Sequence, residues 1–81
     1  MVTIVGIQIN DRQAEAGKVQ GVLTGFGCSI KTRIGLHEAS KDFCSPSGLI
    51  ILEMLDQPEE IARFEKALSE IKGIVVKKMQ F

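Results

Sequence analysis

Residues 2–9 are β-branched and apolar with a period of two, which predicts a strand with Thr3, Val5, Ile7 and Ile9 on one face and Val2 and Ile4 on the other. Asn10 and Asp11 end it and offer side-chain oxygens to the free N–H groups of a following helix. In that helix Val19, Val22, Leu23 and Phe26 recur at i, i+3, i+4 and i+7, one buried stripe. Gly25 and Gly27 then supply the left-handed residue expected at a helix end. From Cys28 to Leu36 the period returns to two, with Cys28, Ile30, Thr32, Ile34 and Leu36 facing inward and Ser29, Lys31 and Arg33 outward.

His37 to Ser47 is polar, ends in Ser45-Pro46-Ser47-Gly48, and reads as a loop. It is longer than the roughly 2–5 residues of a common hairpin connection. Leu49 to Leu55 predicts a third strand. Asp56-Gln57-Pro58-Glu59 reads as a helix start, with an acidic cap, a proline in the first turn and a carboxylate near the positive end of the dipole. Ile61, Phe64, Leu68 and Ile71 form its core stripe, Gly73 ends it, and Ile74 to Phe81 closes the chain as a fourth strand. The order strand–helix–strand–strand–helix–strand is that of the ferredoxin-like α+β fold, a four-stranded antiparallel sheet with both helices on one face and the first and last strands adjacent. Residues 1–81 are expected to form one domain, since a second core needs more chain.

Two helices cover one side of such a sheet, and an ordinary exposed side alternates polar residues. The third strand does not: Leu49 and Ile51 point one way, Ile50, Leu52 and Met54 the other. Strands apolar on both faces need a second cover, and another copy of the chain supplies it most simply, in a dimer or tetramer. Ile50, Leu52 and Arg33 are the expected interface residues of the sheet. Gly17 and Gly21, on a small-residue stripe with Ala14 and Gly25, are those of the first helix, where each interior glycine costs about 1 kcal/mol against alanine. The same stripe also fits a surface helix of ordinary low stability.

Composition narrows the function. Lys+Arg and Asp+Glu are 10 each, so no net field draws the chain to nucleic acid or an anionic membrane. The start shows no basic, apolar leader and the longest fully apolar run is Leu49-Ile50-Ile51-Leu52, so a cytoplasmic protein without a membrane span is expected. Two cysteines do not make a disulfide framework. His37 and Cys44 lie in one loop, but a loop on an open sheet offers no cleft, and no phosphate-binding glycine loop is present, so catalysis is not expected. A transition metal could be held by His37 and Cys44, with Cys28, Glu38 and Asp42 as further donors, but no tight ligand spacing is present and one chain holds too few soft ligands to close a site. Cys28 reads equally as a small buried side chain. Asn10, Asp11 and Arg12 form a corner where carboxylate, guanidinium and helix N–H groups could converge on an amino acid or small acid, although helix capping explains Asn-Asp as well.

The apolar first strand running into Asn10-Asp11-Arg12, the Arg33-Ile34-Gly35 segment, Leu49-Ile50-Ile51-Leu52, and the end Gly73-Ile74-Val75-Val76-Lys77 together resemble the small ACT-like proteins described as iron-only hydrogenase system regulators. The resemblance runs along nearly the whole chain. It implies an ACT-type fold, oligomers, and a regulatory role in the maturation or expression of an iron hydrogenase; any gene regulation would need a protein partner that supplies the DNA contacts. The fold is also similar to the C-terminal domain of the nickel-responsive repressor, which binds metal near its second and third strands. Only His37 and Cys44 fall in a comparable region, and lysine and arginine stand on the second strand where histidine ligands are expected. The ribbon–helix–helix segment of that repressor is not present, so direct DNA contact is not expected.

Overall fold

The computed structural model describes residues 1–10, 12–36 and 48–81, with the backbone alone at 12, 13 and 36. Its elements are β1 (Thr3–Ile9), α1 (Arg12–Gly25), a 3-10 turn (Gly27–Ser29), β2 (Ile30–Leu36), β3 (Gly48–Met54), α2 (Pro58–Ser69) and β4 (Ile74–Gln80). The sheet order is β2-β3-β1-β4, and every neighbouring pair is antiparallel. This is the ferredoxin-like, ACT-like α+β arrangement, with β1 and β4 adjacent as the strand order requires. Among the described residues no helix is long and apolar enough to cross a membrane.

The core lies between the helices and one face of the sheet. Val5, Ile7 and Ile9 of β1 pack with Ile50, Leu52 and Met54 of β3, Val19 and Leu23 of α1, and Ile61, Phe64 and Leu68 of α2. Val22, Phe26 and Ile71 flank that cluster, Phe26 and Ile71 from just past the ends of α1 and α2, so the expected stripes reach the core although their last members are not helical. The Phe26 and Phe64 rings meet edge to face, centroids 5.4 Å apart, and the Arg63 guanidinium lies 5.9 Å above the Phe26 ring.

Three local expectations change. Gly25 and Gly27 are not left-handed. The chain leaves α1 through the 3-10 turn, where Phe26 N–H donates to Val22 O and Ser29 N–H to Phe26 O, so the last carbonyls find partners without a left-handed residue. That turn takes Cys28 out of β2 and exposes it; Ser29 is buried instead, its hydroxyl donating to Gln57 Oε1 at 3.1 Å. Asp56 does not cap α2. Gln57 holds the cap position without a side-chain bond, while Pro58, Glu59 and Glu60 favour the helix start. The third change concerns β2: Ile30 pairs with Met54 and Thr32 with Glu53, leaving Lys31 as a bulge residue. The bulge reverses the alternation, so Thr32 and Ile34 face away from the helices and Arg33 faces toward them.

Gly73 has φ 82°, and its carbonyl accepts from Asn10 N–H at 3.1 Å, tying the end of β1 to the turn before β4. A Cβ there would stand 3.3 Å from Glu15 Cγ. Gly73→Ala therefore carries left-handed backbone strain and a tight contact, and a loss of roughly 1–2 kcal/mol in urea unfolding is expected. An unchanged unfolding midpoint would contradict that reading of the turn.

Candidate interaction face

Strand alternation decides which side chains leave the core. On β1 the odd positions are buried, so Ile4, Gly6 and Gln8 face outward, and antiparallel pairing carries that orientation across the sheet. Thr32, Glu53, Ile4 and Met79 form one cross-strand row; Ile34, Ile51, Gly6 and Lys77 the next; Leu49, Gln8 and Val75 the third. Val2 and Phe81 extend the same face, joined by the Phe81 N–H to Val2 O bond at 2.9 Å.

This face is apolar and open. Of the exposed large apolar side chains among the described residues, Val2, Ile34, Leu49, Val75, Met79 and Phe81 all lie on it, with Ile34 50% and Phe81 75% exposed, and Met1 is the remaining one. Ile4 and Ile51 fill the centre and are half-buried by their neighbours. Polar groups interrupt it on both central and edge strands: Gln8 on β1, Glu53 on β3, Thr32 on β2 and Lys77 on β4. Glu53 accepts from Thr32 Oγ1 at 3.3 Å and lies 3.7 Å from Lys31 Nζ, while Lys77, on the edge strand β4, has no ion-pair partner among the described residues.

The expected interface residues fall differently. Ile50 and Leu52 are not on this face: they are 7% and 0% exposed, under the helices. The reason is register, since Leu52 pairs with Val5 and Ile50 with Ile7, both inward-facing, and β3 must share that orientation. Leu49 and Ile51 take the outer side. Arg33 is also off it, its Nη2 donating to Gln20 Oε1 of α1 at 2.5 Å. Gly17 and Gly21 lie on the exposed side of α1, and a Cβ at either would meet nothing within 4 Å.

At the corner, Asn10 is exposed and its N–H is used by Gly73, while α1 begins at residue 12. Asp11 and the side chain of Arg12 lie outside the described residues, as do His37 and Cys44. Among the described residues no cluster of three or more His, Cys, Asp or Glu could hold a metal ion. A groove between α2 and β4, lined by Thr3, Ile61, Glu65 and Lys78, is about 210 Å³, below the roughly 300–1,000 Å³ of common ligand pockets. A Lys78–Glu65 ion pair at 2.8 Å spans it.

Compared with protein-family models and with curated protein sequences, the chain matches none. Solved structures do match. An uncharacterized protein from Thermotoga maritima is similar at TM-score 0.80 and 23% identity, over 96% of this chain and 92% of that one. The ACT domain from the GTP pyrophosphokinase of Chlorobium tepidum is similar at TM-score 0.69 and 16% identity, over 98% and 97%. A nitrogen regulatory PII-like protein from Thiomonas intermedia K12, bound to ADP, AMP and bicarbonate, is similar at TM-score 0.63 and 12% identity, over 99% and 91%. At such identities the likeness is one of architecture, and function has to be argued from the site. What this chain shares with all three is the ferredoxin-like, ACT-like fold.

Proposed function

We propose that this chain is a non-enzymatic regulatory or sensor module that acts as a dimer or higher oligomer. The observation that carries the reading is the outer sheet face, where six exposed apolar side chains gather on one surface. Contiguous apolar surface on that scale marks an interaction site more often than a free surface. The fold likeness to an ACT domain and to a PII-like regulatory protein supports a regulatory use. A role toward an iron-only hydrogenase system rests on the sequence resemblance alone, and cytoplasmic residence on composition and the short apolar runs.

The test is the melting temperature as a function of protein concentration. An assembly that binds only the folded state raises the melting point with concentration, so a steady rise between about 1 and 100 μM is expected. A melting point independent of concentration would overturn the reading. The same melts, run with each common amino acid, test a second reading in which Asn10, Asp11 and Arg12 hold a small acid in a corner closed by a neighbouring subunit. Asn10, exposed where β1 leads into α1, is the observation that favours it. A metal held by His37 and Cys44 is a third reading, from sequence only. Bound metal unchanged in Cys44→Ser would remove it.

A further inference from the structure

Gly6 lies at the middle of the outer face on β1, one of the two central strands, between Ile51 of β3 and Lys77 of β4. Glycine in a strand interior costs entropy and packs nothing. Nothing among the described residues calls for it: its φ is not positive, and within 4 Å a Cβ there would meet only Ile51 Cδ1, at an ordinary 3.7 Å. The face therefore has a notch at its centre, with the Ile51 side chain standing as a ridge beside it.

Resting on the proposal that the outer face mediates assembly, we infer that its occupant is a second copy of this chain, related by a two-fold axis running parallel to the strands between β1 and β3. That axis lays β1 over the second copy's β3 and β4 over its β2, with cross-strand rows kept in line. Ile51 of each copy then enters the Gly6 notch of the other, two identical contacts as an isologous interface requires. A two-fold axis running across the strands would set Gly6 against Gly6 and Ile51 against Ile51, leaving a void at the centre of the interface, and such voids are destabilising.

Charge and size agree with this arrangement. The axis sets Lys77 one row and one strand from the second copy's Glu53. With facing sheets about 10 Å apart, strands about 4.8 Å apart and about 3.3 Å per residue, the two backbones are roughly 13 Å apart, a span that an extended lysine and an extended glutamate bridge together. Lys77 has no ion-pair partner among the described residues, so the second copy supplies the carboxylate it lacks. Four strands about 4.8 Å apart and 7 residues long, at about 3.3 Å per residue, give a flat footprint of roughly 400 Å². Side chains standing out of it raise the accessible area toward the roughly 800 Å² that each partner gives to a standard interface.

The test uses the full chain, with Lys77→Glu and Glu53→Lys made separately. Each variant alone places like charges across the interface twice, and its dimer is expected to weaken by about tenfold or more. An equimolar mixture, one variant isotope-labelled, is expected to recover a one-to-one heterodimer of near wild-type affinity, because both contacts are then opposite in sign. A mixture no tighter than either variant would overturn the inferred axis while leaving assembly intact, whereas a wild-type monomer would overturn the assembly reading itself. Should Glu53→Lys disturb the fold through Lys31 and Thr32, Gly6→Val decides. Valine suits a strand, and its Cβ would meet Ile51 Cδ1 at an ordinary 3.7 Å, so folding is expected to hold while the dimer weakens. A Gly6→Val dimer as tight as wild type would refute the notch.

Discussion

Ile51→Lys is expected to leave a folded monomer. Ile51 stands at the centre of the outer face, flanked in its row by Ile34 and Gly6, and the helices do not touch that side of the sheet. In the isolated chain the lysine ammonium reaches water, and the core of Val5, Ile7, Leu52 and Phe64 is untouched. In an assembly built on this face, two ammonium groups would be buried without partners, at several kcal/mol each. The dimer should therefore dissociate by more than a hundredfold, since each 1.4 kcal/mol is a factor of ten. Sedimentation of the variant beside the wild type reads this directly, with circular dichroism confirming the fold. A variant that associates as tightly as wild type would move the interface elsewhere, to the edges of β2 and β4 or the glycine side of α1.

Phe64→Ala attacks the other face and should act on folding first. Phe64 is fully buried, is among the largest side chains of the core, and carries the edge-to-face contact with Phe26. Truncation removes its transfer free energy and leaves a cavity, for a loss of about 3–5 kcal/mol. A chain of 81 residues has roughly 4–12 kcal/mol to lose, so much of its stability goes with one ring. Urea unfolding is expected to show a midpoint near or below the lowest usable concentrations. A loss under about 1 kcal/mol would mean the core repacks around the gap, against the close packing of protein interiors.

Much of the fold was legible in the sequence. The order of elements and the core stripes of both helices follow from periodicity, and Gly73 is left-handed as glycine chemistry suggests, but α2 stops at Ser69 with Glu70 as its cap, four residues before Gly73. The sides of the sheet were harder to read. On β3 both alternating sets are apolar, so the period alone gives no sign of which set is buried; pairing of Leu52 with Val5 decides it. On β2 the bulge at Lys31 inverts the alternation, which exposes Ile34 and turns Arg33 toward α1. A bulge depends on how the partner strand is met, and that is a tertiary fact. On β4 each set mixes apolar and polar residues, Val75, Lys77, Met79 and Phe81 against Ile74, Val76, Lys78 and Gln80. The outer set is recognisable only once β4 is placed beside β1.

The consequence is a change in which residues carry the site while its logic holds. The expectation of a sheet apolar on both faces is met, but by Ile4, Ile51, Leu49 and Ile34 on the outside rather than Ile50 and Leu52. Gly6 carries no interface signal in the sequence, because a glycine inside a strand pattern marks only a weak position until its neighbours are known. The central claim is that this outer face joins copies of the chain. Native mass spectrometry of protein purified without air or chelator tests it most directly. A dimer or a multiple of it is the predicted result, and a monomer persisting at high protein concentration would contradict the account.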